Sequence, residues 1–193
     1  MKLLKIAIVS AIIGIGVVTS VVASDDDGEY KYNKKYSKNY GGKYSVMPVT
    51  NQLYKDECAS CHFGYQAGLL PKRSWIKLME PKELENHFGD DATIDEQDRL
   101  TLLSYLVTNA ADSKMNNSRL SKKIVKKLPR YSTPIALSQT RWFKKDHDEI
   151  PARLVKQEDV KSIANCAACH TKAEKGRYGE REIMIPNYGR WDD

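Results

Sequence analysis

Apolar positions fall into short helical stripes separated by turn residues. The clearest lies over 96–110, where Leu100, Leu103, Leu106, Val107 and Ala110 recur at helical spacing. Thr93-Ile94-Asp95-Glu96 precedes them and reads as a capping box, so a helix is predicted to start there. Leu120, Ile124 and Leu128 step by four in a Lys-rich segment, which predicts a second helix ended by Pro129. Shorter helices are predicted over 51–62 and 158–170. Another is capped by Ser74, with Trp75, Ile76 and Met79 on one face. A further one is opened by Pro81, carries Leu84, His87 and Phe88 on one side, and is stopped by Gly89. Pro134 and Pro151 bracket an irregular stretch, and 180–186 alternates as an extended segment. The pattern is that of a mainly α protein.

The two ends of this pattern behave differently. Residues 1–23 read as a secretory signal: Lys2 and Lys5, then an apolar run from Ile6 to Val18, then Val21-Val22-Ala23 before Ser24. The run is short for a membrane span, and no second one follows. The mature chain is therefore expected to be exported and not to span a membrane. Residues 24–49 read as a flexible arm. An acidic block at Asp25–Asp27 leads into Tyr32, Tyr36, Tyr40 and Tyr44 interleaved with lysines, with Gly41-Gly42 and no aliphatic stripe. Beyond it, 50–112 and 131–193 read as two small units. They are joined by a basic linker helix over 113–130 carrying Lys114, Arg119, Lys122, Lys123, Lys126, Lys127 and Arg130. That helix is a solvated connection or a docking patch for an acidic partner.

The 193 residues carry a formal charge of +6, which falls to +4 once the two signal lysines are removed. This balance changes again with the cysteines. All four stand in two C-x-x-C-H runs, Cys58-Ala59-Ser60-Cys61-His62 and Cys166-Ala167-Ala168-Cys169-His170. This spacing is the attachment site of a c-type haem: two thiols add to the two vinyl groups and the next residue, His, reaches the iron. Zinc binding, a thioredoxin-like pair and a disulfide framework fit this pattern less well. The two pairs lie far apart, no βαβ pattern surrounds them, and a disulfide leaves both histidines unexplained. Two haems would bring four propionates and offset the +4 charge, so the basic balance does not indicate nucleic-acid binding. Two covalently bound c-type haems therefore divide the chain into two cytochrome c-like domains, the second with more irregular structure. Such haems are attached after export, which agrees with the signal.

The second axial ligand of each iron decides the chemistry. With His62 and His170 as proximal ligands, His87 and His147 remain, and two spare histidines for two irons suggest two bis-His centres. Met79 is the rival of His87, and Met184 the rival of His147. His147 is also flanked by Asp146 and Asp148, as an exposed loop residue would be. Saturated irons imply electron transfer without bond chemistry. An open distal site would instead imply a small dihaem peroxidase or reductase, and a distal histidine that leaves on reduction would imply a sensor. Trp75, Trp142 and Trp191 read as packing residues around haem faces.

From 56 to 186 the chain resembles the dihaem cytochrome c family known as DHC. The likeness rests on Glu57 to His62, Gly68-Leu69-Leu70-Pro71 with Ser74-Trp75, and His87-Phe88-Gly89 with Ala92. It extends to Trp142-Phe143 with His147-Asp148, and Ala164 to His170 with Ala173 and Gly176. The resemblance implies a periplasmic electron carrier of a Gram-negative bacterium with low-potential, six-coordinate haems. It implies as partners an oxygen-binding monohaem cytochrome c and a membrane cytochrome b, and as distal ligands His87 and His147. Proximity in sequence assigns His87 to the Cys58/Cys61 haem and His147 to the Cys166/Cys169 haem, with a crossed arrangement the alternative. The Tyr/Lys arm departs from the family pattern.

Overall fold

The computed structural model describes residues 43–191. The signal-like residues 1–23 and most of the Tyr/Lys arm lie outside the described residues. Among those described, short helices dominate, with one two-stranded ribbon, and no helix is long and apolar enough to cross a membrane.

Helix α1, Gln52–Cys58, is capped by Asn51, whose side chain accepts from the Tyr54 amide. It stops at Cys58, short of the 51–62 helix expected from the pattern, because the chain doubles back. The Tyr54 hydroxyl donates to the Tyr65 carbonyl at 2.8 Å, and a Cβ at Gly64 would stand 2.8 Å from the Ala59 Cβ. Helix α2, Lys72–Leu78, starts after Pro71, with Ser74 buried inside it rather than capping it. Helix α3, Pro81–Glu85, has its proline at the first position, as expected, but ends before His87. Helix α4, Glu96–Asn109, begins after Asp95. The capping box does not form: the Thr93 amide donates to Asp91, and Glu96 is taken by Arg99 at 2.7 Å.

Adjacent Leu102 and Leu103 offer two phases for α4, and packing selects the one that the expected stripe left out. Leu102, Leu106 and Ala110 are fully buried against Trp75, Met79 and Leu84, whereas Leu100 is half exposed. Helix α5, Arg119–Lys127, keeps its expected stripe, with Leu120, Ile124 and Leu128 buried, and its N-cap Ser118 accepts from Ser121. Helix α6, Arg141–Asp146, is capped by Thr140. Helix α7 is Ala152–Val155, and α8 is Cys166–Cys169 alone. The longer helix expected over 158–170 is interrupted by Lys161, whose positive φ of 64° cannot sit inside an α-helix. Only the end of the segment expected to be extended is so. Strand β1, Met184–Ile185, pairs antiparallel with β2, Gly189–Arg190, after a helical turn at Glu180–Glu182.

Packing ignores the boundaries drawn from the sequence. One apolar cluster joins Val46, Leu69, Leu120, Ile124 and Leu128, with Trp142 and Tyr178 against it. It takes side chains from the arm, both units and the linker helix. The arm itself is not loose at its described end. Val46 is fully buried, its amide donates to the Gly176 carbonyl at 2.8 Å, and the Tyr178 amide donates to the Tyr44 carbonyl at 2.8 Å. The expectation of flexibility fails there because a lone valine with no helical partners can still fill a pocket built by others. Gly176 makes the approach feasible: φ is +68°, and a Cβ would collide with the Val46 carbonyl oxygen.

Candidate haem-binding site

The first C-x-x-C-H run leaves α1 as irregular chain. Cys58 is half-buried, and Cys61 and His62 are exposed. The His62 Nδ1 lies 2.8 Å from the Phe63 carbonyl, so that nitrogen is a donor and Nε2 is the free one. His87, expected on a helix face, stands instead at the base of a tight turn. His87 and Asp90 form a bridge, with the His87 amide donating to Asp90 at 2.7 Å. Both central residues, Phe88 and Gly89, have positive φ, 58° and 109°, the signature of a type I′ hairpin turn. A bulky residue is strained there. The turn aims His87 back at His62, with ring centroids 6.1 Å apart and planes 16° from parallel.

The second run is built differently. Cys166 is buried, and Cys166, Cys169 and His170 line a cavity of about 340 Å³ with apolar walls that include Leu69, Ile124, Phe143, Leu154 and Ile185. His147 follows the last residue of α6 and enters the same cavity. Its ring stacks on Phe143 at 3.9 Å, and its Nδ1 lies 2.8 Å from the Phe143 carbonyl. One residue thus fixes both the plane and the tautomer of the imidazole. The His147 and His170 rings are 6.3 Å apart and close to perpendicular, at 70°.

These spacings leave room for one metal ion between each pair. An imidazole nitrogen binds a transition metal at about 2 Å, with the ring centre roughly 1.2 Å behind it, so two imidazoles on opposite sides of one ion stand about 6.3 Å apart. Both pairs match. Among the described residues no group of three or more His, Cys, Asp or Glu could hold a metal unaided. The donor sets therefore fit an ion that brings its other ligands with it, as haem iron does, and not a protein-only zinc site. The buried Nδ1 atoms of His87 and His170 have no hydrogen-bond partner, so at each site one imidazole is oriented by a backbone carbonyl and the facing one is not.

The electrostatics agree. Burial, reinforced by His147, lowers the His170 imidazole to about 4; burial and then His62 lower His87. Neutral imidazoles are the form a metal takes. Burial pushes the Cys58 thiol up to about 11 and Cys166 up to about 12, so both are neutral thiols rather than metal-ready thiolates. None of the four cysteines is in a disulfide.

All sequence-read site residues fall at one of these two places. The methionine rivals do not: Met79 is buried in the core beside Trp75 and Leu84, and Met184 is half exposed on β1. Sequence reasoning missed the contacts that join the sites. The Tyr65 hydroxyl donates to the Ala164 carbonyl at 2.6 Å, the Gln66 amide donates to the Ala173 carbonyl at 2.8 Å, and the Tyr178 hydroxyl donates to Gln66. Tyr65 also rests beside His62, and Tyr178 beside His170. Nothing in the residue pattern marks these long-range partners; only their closeness to the two motifs hinted at them.

The sequence model of the family described as dihaem cytochrome c matches residues 54–178. A solved diheme cytochrome c from Shewanella baltica OS155 is 36% identical over 75% of this chain and 99% of its own, with a TM-score of 0.58. A solved diheme cytochrome c from Rhodobacter sphaeroides is 44% identical over 69% of this chain and 100% of its own, with a TM-score of 0.59. A second Rhodobacter sphaeroides structure, of DHC, is 44% identical over 68% of this chain and 100% of its own, with a TM-score of 0.54. No curated relative matches the chain.

Proposed function

Because the chain belongs to the dihaem cytochrome c family, with two covalently bound c-type haems, we propose that it carries single electrons through two irons each closed by two histidines. The facing imidazole pairs, each at the spacing one iron requires, carry this reading. When bound, each haem supplies a ferric–ferrous couple. Cys58 and Cys61 hold the first haem, and Cys166 and Cys169 the second. His62 and His87 face each other at the first site, His170 and His147 at the second. The carbonyls of Phe63 and Phe143 take the Nδ1 protons of His62 and His147, which leaves Nε2 to the metal and strengthens it as a donor. Two imidazoles donate more strongly than an imidazole and a thioether, so low potentials follow. The signal-like residues 1–23 support a periplasmic location. The family likeness supports an oxygen-binding monohaem cytochrome c as electron acceptor and a membrane cytochrome b as donor.

Spectroscopy of the holoprotein tests the ligands. The ferric protein is expected to lack the weak near-infrared band of methionine-ligated haem, and the ferrous protein to bind carbon monoxide only slowly. A near-infrared band or prompt carbon monoxide binding would count against closed bis-His irons. The different ring geometries, 16° and 70°, lead to a further expectation. Parallel rings split the iron d orbitals more than crossed rings do. The ferric electron paramagnetic resonance spectrum should therefore contain two distinct low-spin signals, the more axial one from the second haem; a single uniform signal would contradict the geometry.

A further inference from the structure

Charge is distributed very unevenly along this chain. Between Ser113 and Lys145 lie ten of the thirty-one Lys and Arg residues and none of the twenty-five acids. The rest of the chain therefore carries more acids than bases. The basic stretch contains α5 and α6, which meet in the fold: Lys123 on α5 pairs with Asp146 on α6 at 3.2 Å and lies over the Trp142 ring at 5.3 Å. Leu120, Ile124 and Leu128 face the core, so the lysines of α5 are left on its outer side. Nine of the ten cations are exposed, and only Lys123 is half-buried.

This face adjoins the second haem site. Trp142, Phe143 and His147 carry the α6 side of the cavity, and Ile124 carries the α5 side. Haem propionates do not account for the charge, because Lys123 and Lys145 are the only two of the ten that line the cavity. Among the described residues, Lys122, Lys126, Lys127 and Arg130 are exposed and none of them forms an ion pair. The face is predominantly basic, edged at the cavity by Asp146, Asp148 and Glu149, and an excess of one sign next to a redox centre is what steers an oppositely charged partner to that centre.

We propose that the outer faces of α5 and α6 form a docking surface for an acidic redox protein, and that electrons cross to or from it at the His147/His170 haem. The proposal rests on the electron-carrier reading and adds the partner's charge and the point of contact. Nucleic acid or an anionic membrane would also meet positive charge, but neither has use for a redox centre at the edge of the patch.

The test is the rate at which holoprotein is reduced by flavodoxin hydroquinone, a small acidic electron donor, followed by stopped flow against ionic strength. The variant is Lys122→Glu, Lys126→Glu and Lys127→Glu together, all exposed and none lining the cavity. A control set, Lys55→Glu, Lys82→Glu and Lys175→Glu, makes the same charge change on exposed residues outside the basic stretch. The parent rate is expected to fall steeply with salt. At low salt the first set should slow reduction at least about tenfold and flatten the salt slope, and the control set should do much less. Reduction by neutral photoreduced lumiflavin should be equal in all three proteins. Equal losses in both sets, or no loss in the first, overturn the docking face. So does binding of anionic phospholipid vesicles that the first set abolishes while flavodoxin kinetics stay unchanged. If lumiflavin cannot reduce the parent holoprotein reversibly, the electron-carrier reading itself fails.

Discussion

Replacing His87 with alanine is expected to turn the first haem high-spin while the second stays low-spin. His87 faces His62 across the distance one iron needs, and the rival Met79 is committed to the core around Trp75 and Leu102. Moving Met79 to the iron would open a cavity there, and a buried Met-to-void change costs about 2–5 kcal/mol. The vacated position should therefore be left to water or added ligands, and conversion should be nearly complete. Absorption and paramagnetic resonance spectra read the change, carbon monoxide should bind the ferrous variant promptly, and added imidazole should restore the low-spin form. Loss of low-spin character at the second haem instead would mean that the histidines are crossed. A fully low-spin variant would remove His87 from the ligand set.

The second large effect concerns what the haem does for the fold. The double change Cys166→Ser and Cys169→Ser removes the thiols that secure a group in the 340 Å³ cavity. An unfilled site strips its apolar walls of packing contacts, and large losses of that kind weigh heavily against the stability of a small domain, about 5–15 kcal/mol. Collapse of Phe143, Leu154 and Ile185 inward recovers part of the lost contacts. The variant is expected to carry one haem per chain by pyridine haemochrome assay and to unfold at much lower denaturant concentration. Loss of structure should centre on the cavity walls at α6, α7 and β1. Two haems per chain, or an unchanged midpoint, would contradict the structural role assigned to the second site.

How far the sequence spoke for itself varies with the kind of signal. The two C-x-x-C-H runs were fully legible, because covalent chemistry demands a fixed local spacing. So were Leu120, Ile124 and Leu128, where a single stripe admits one phase. Leu102 was not, because adjacent leucines offered two phases and only contact with α2 decided between them. His87 was found as a residue but misplaced on a helix, since Phe88-Gly89 does not advertise a type I′ turn as Asn-Gly would. Tyr65, Gln66 and Tyr178 were invisible. Their roles depend on segments about a hundred residues away, and one sequence holds no record of that proximity.

The strap at Tyr44–Val46 has a consequence for how the molecule comes into being. Its partners, Gly176 and Tyr178, lie beyond the second motif, and the Tyr44–Glu180 contact spans 136 residues. A polypeptide emerges N-terminus first, so this clasp is among the earliest segments made and among the last able to close. Closing so long a loop is entropically slow, and contacts of this separation delay folding. Both cysteine pairs lie between the two halves of the clasp, so it can close only after both have been made.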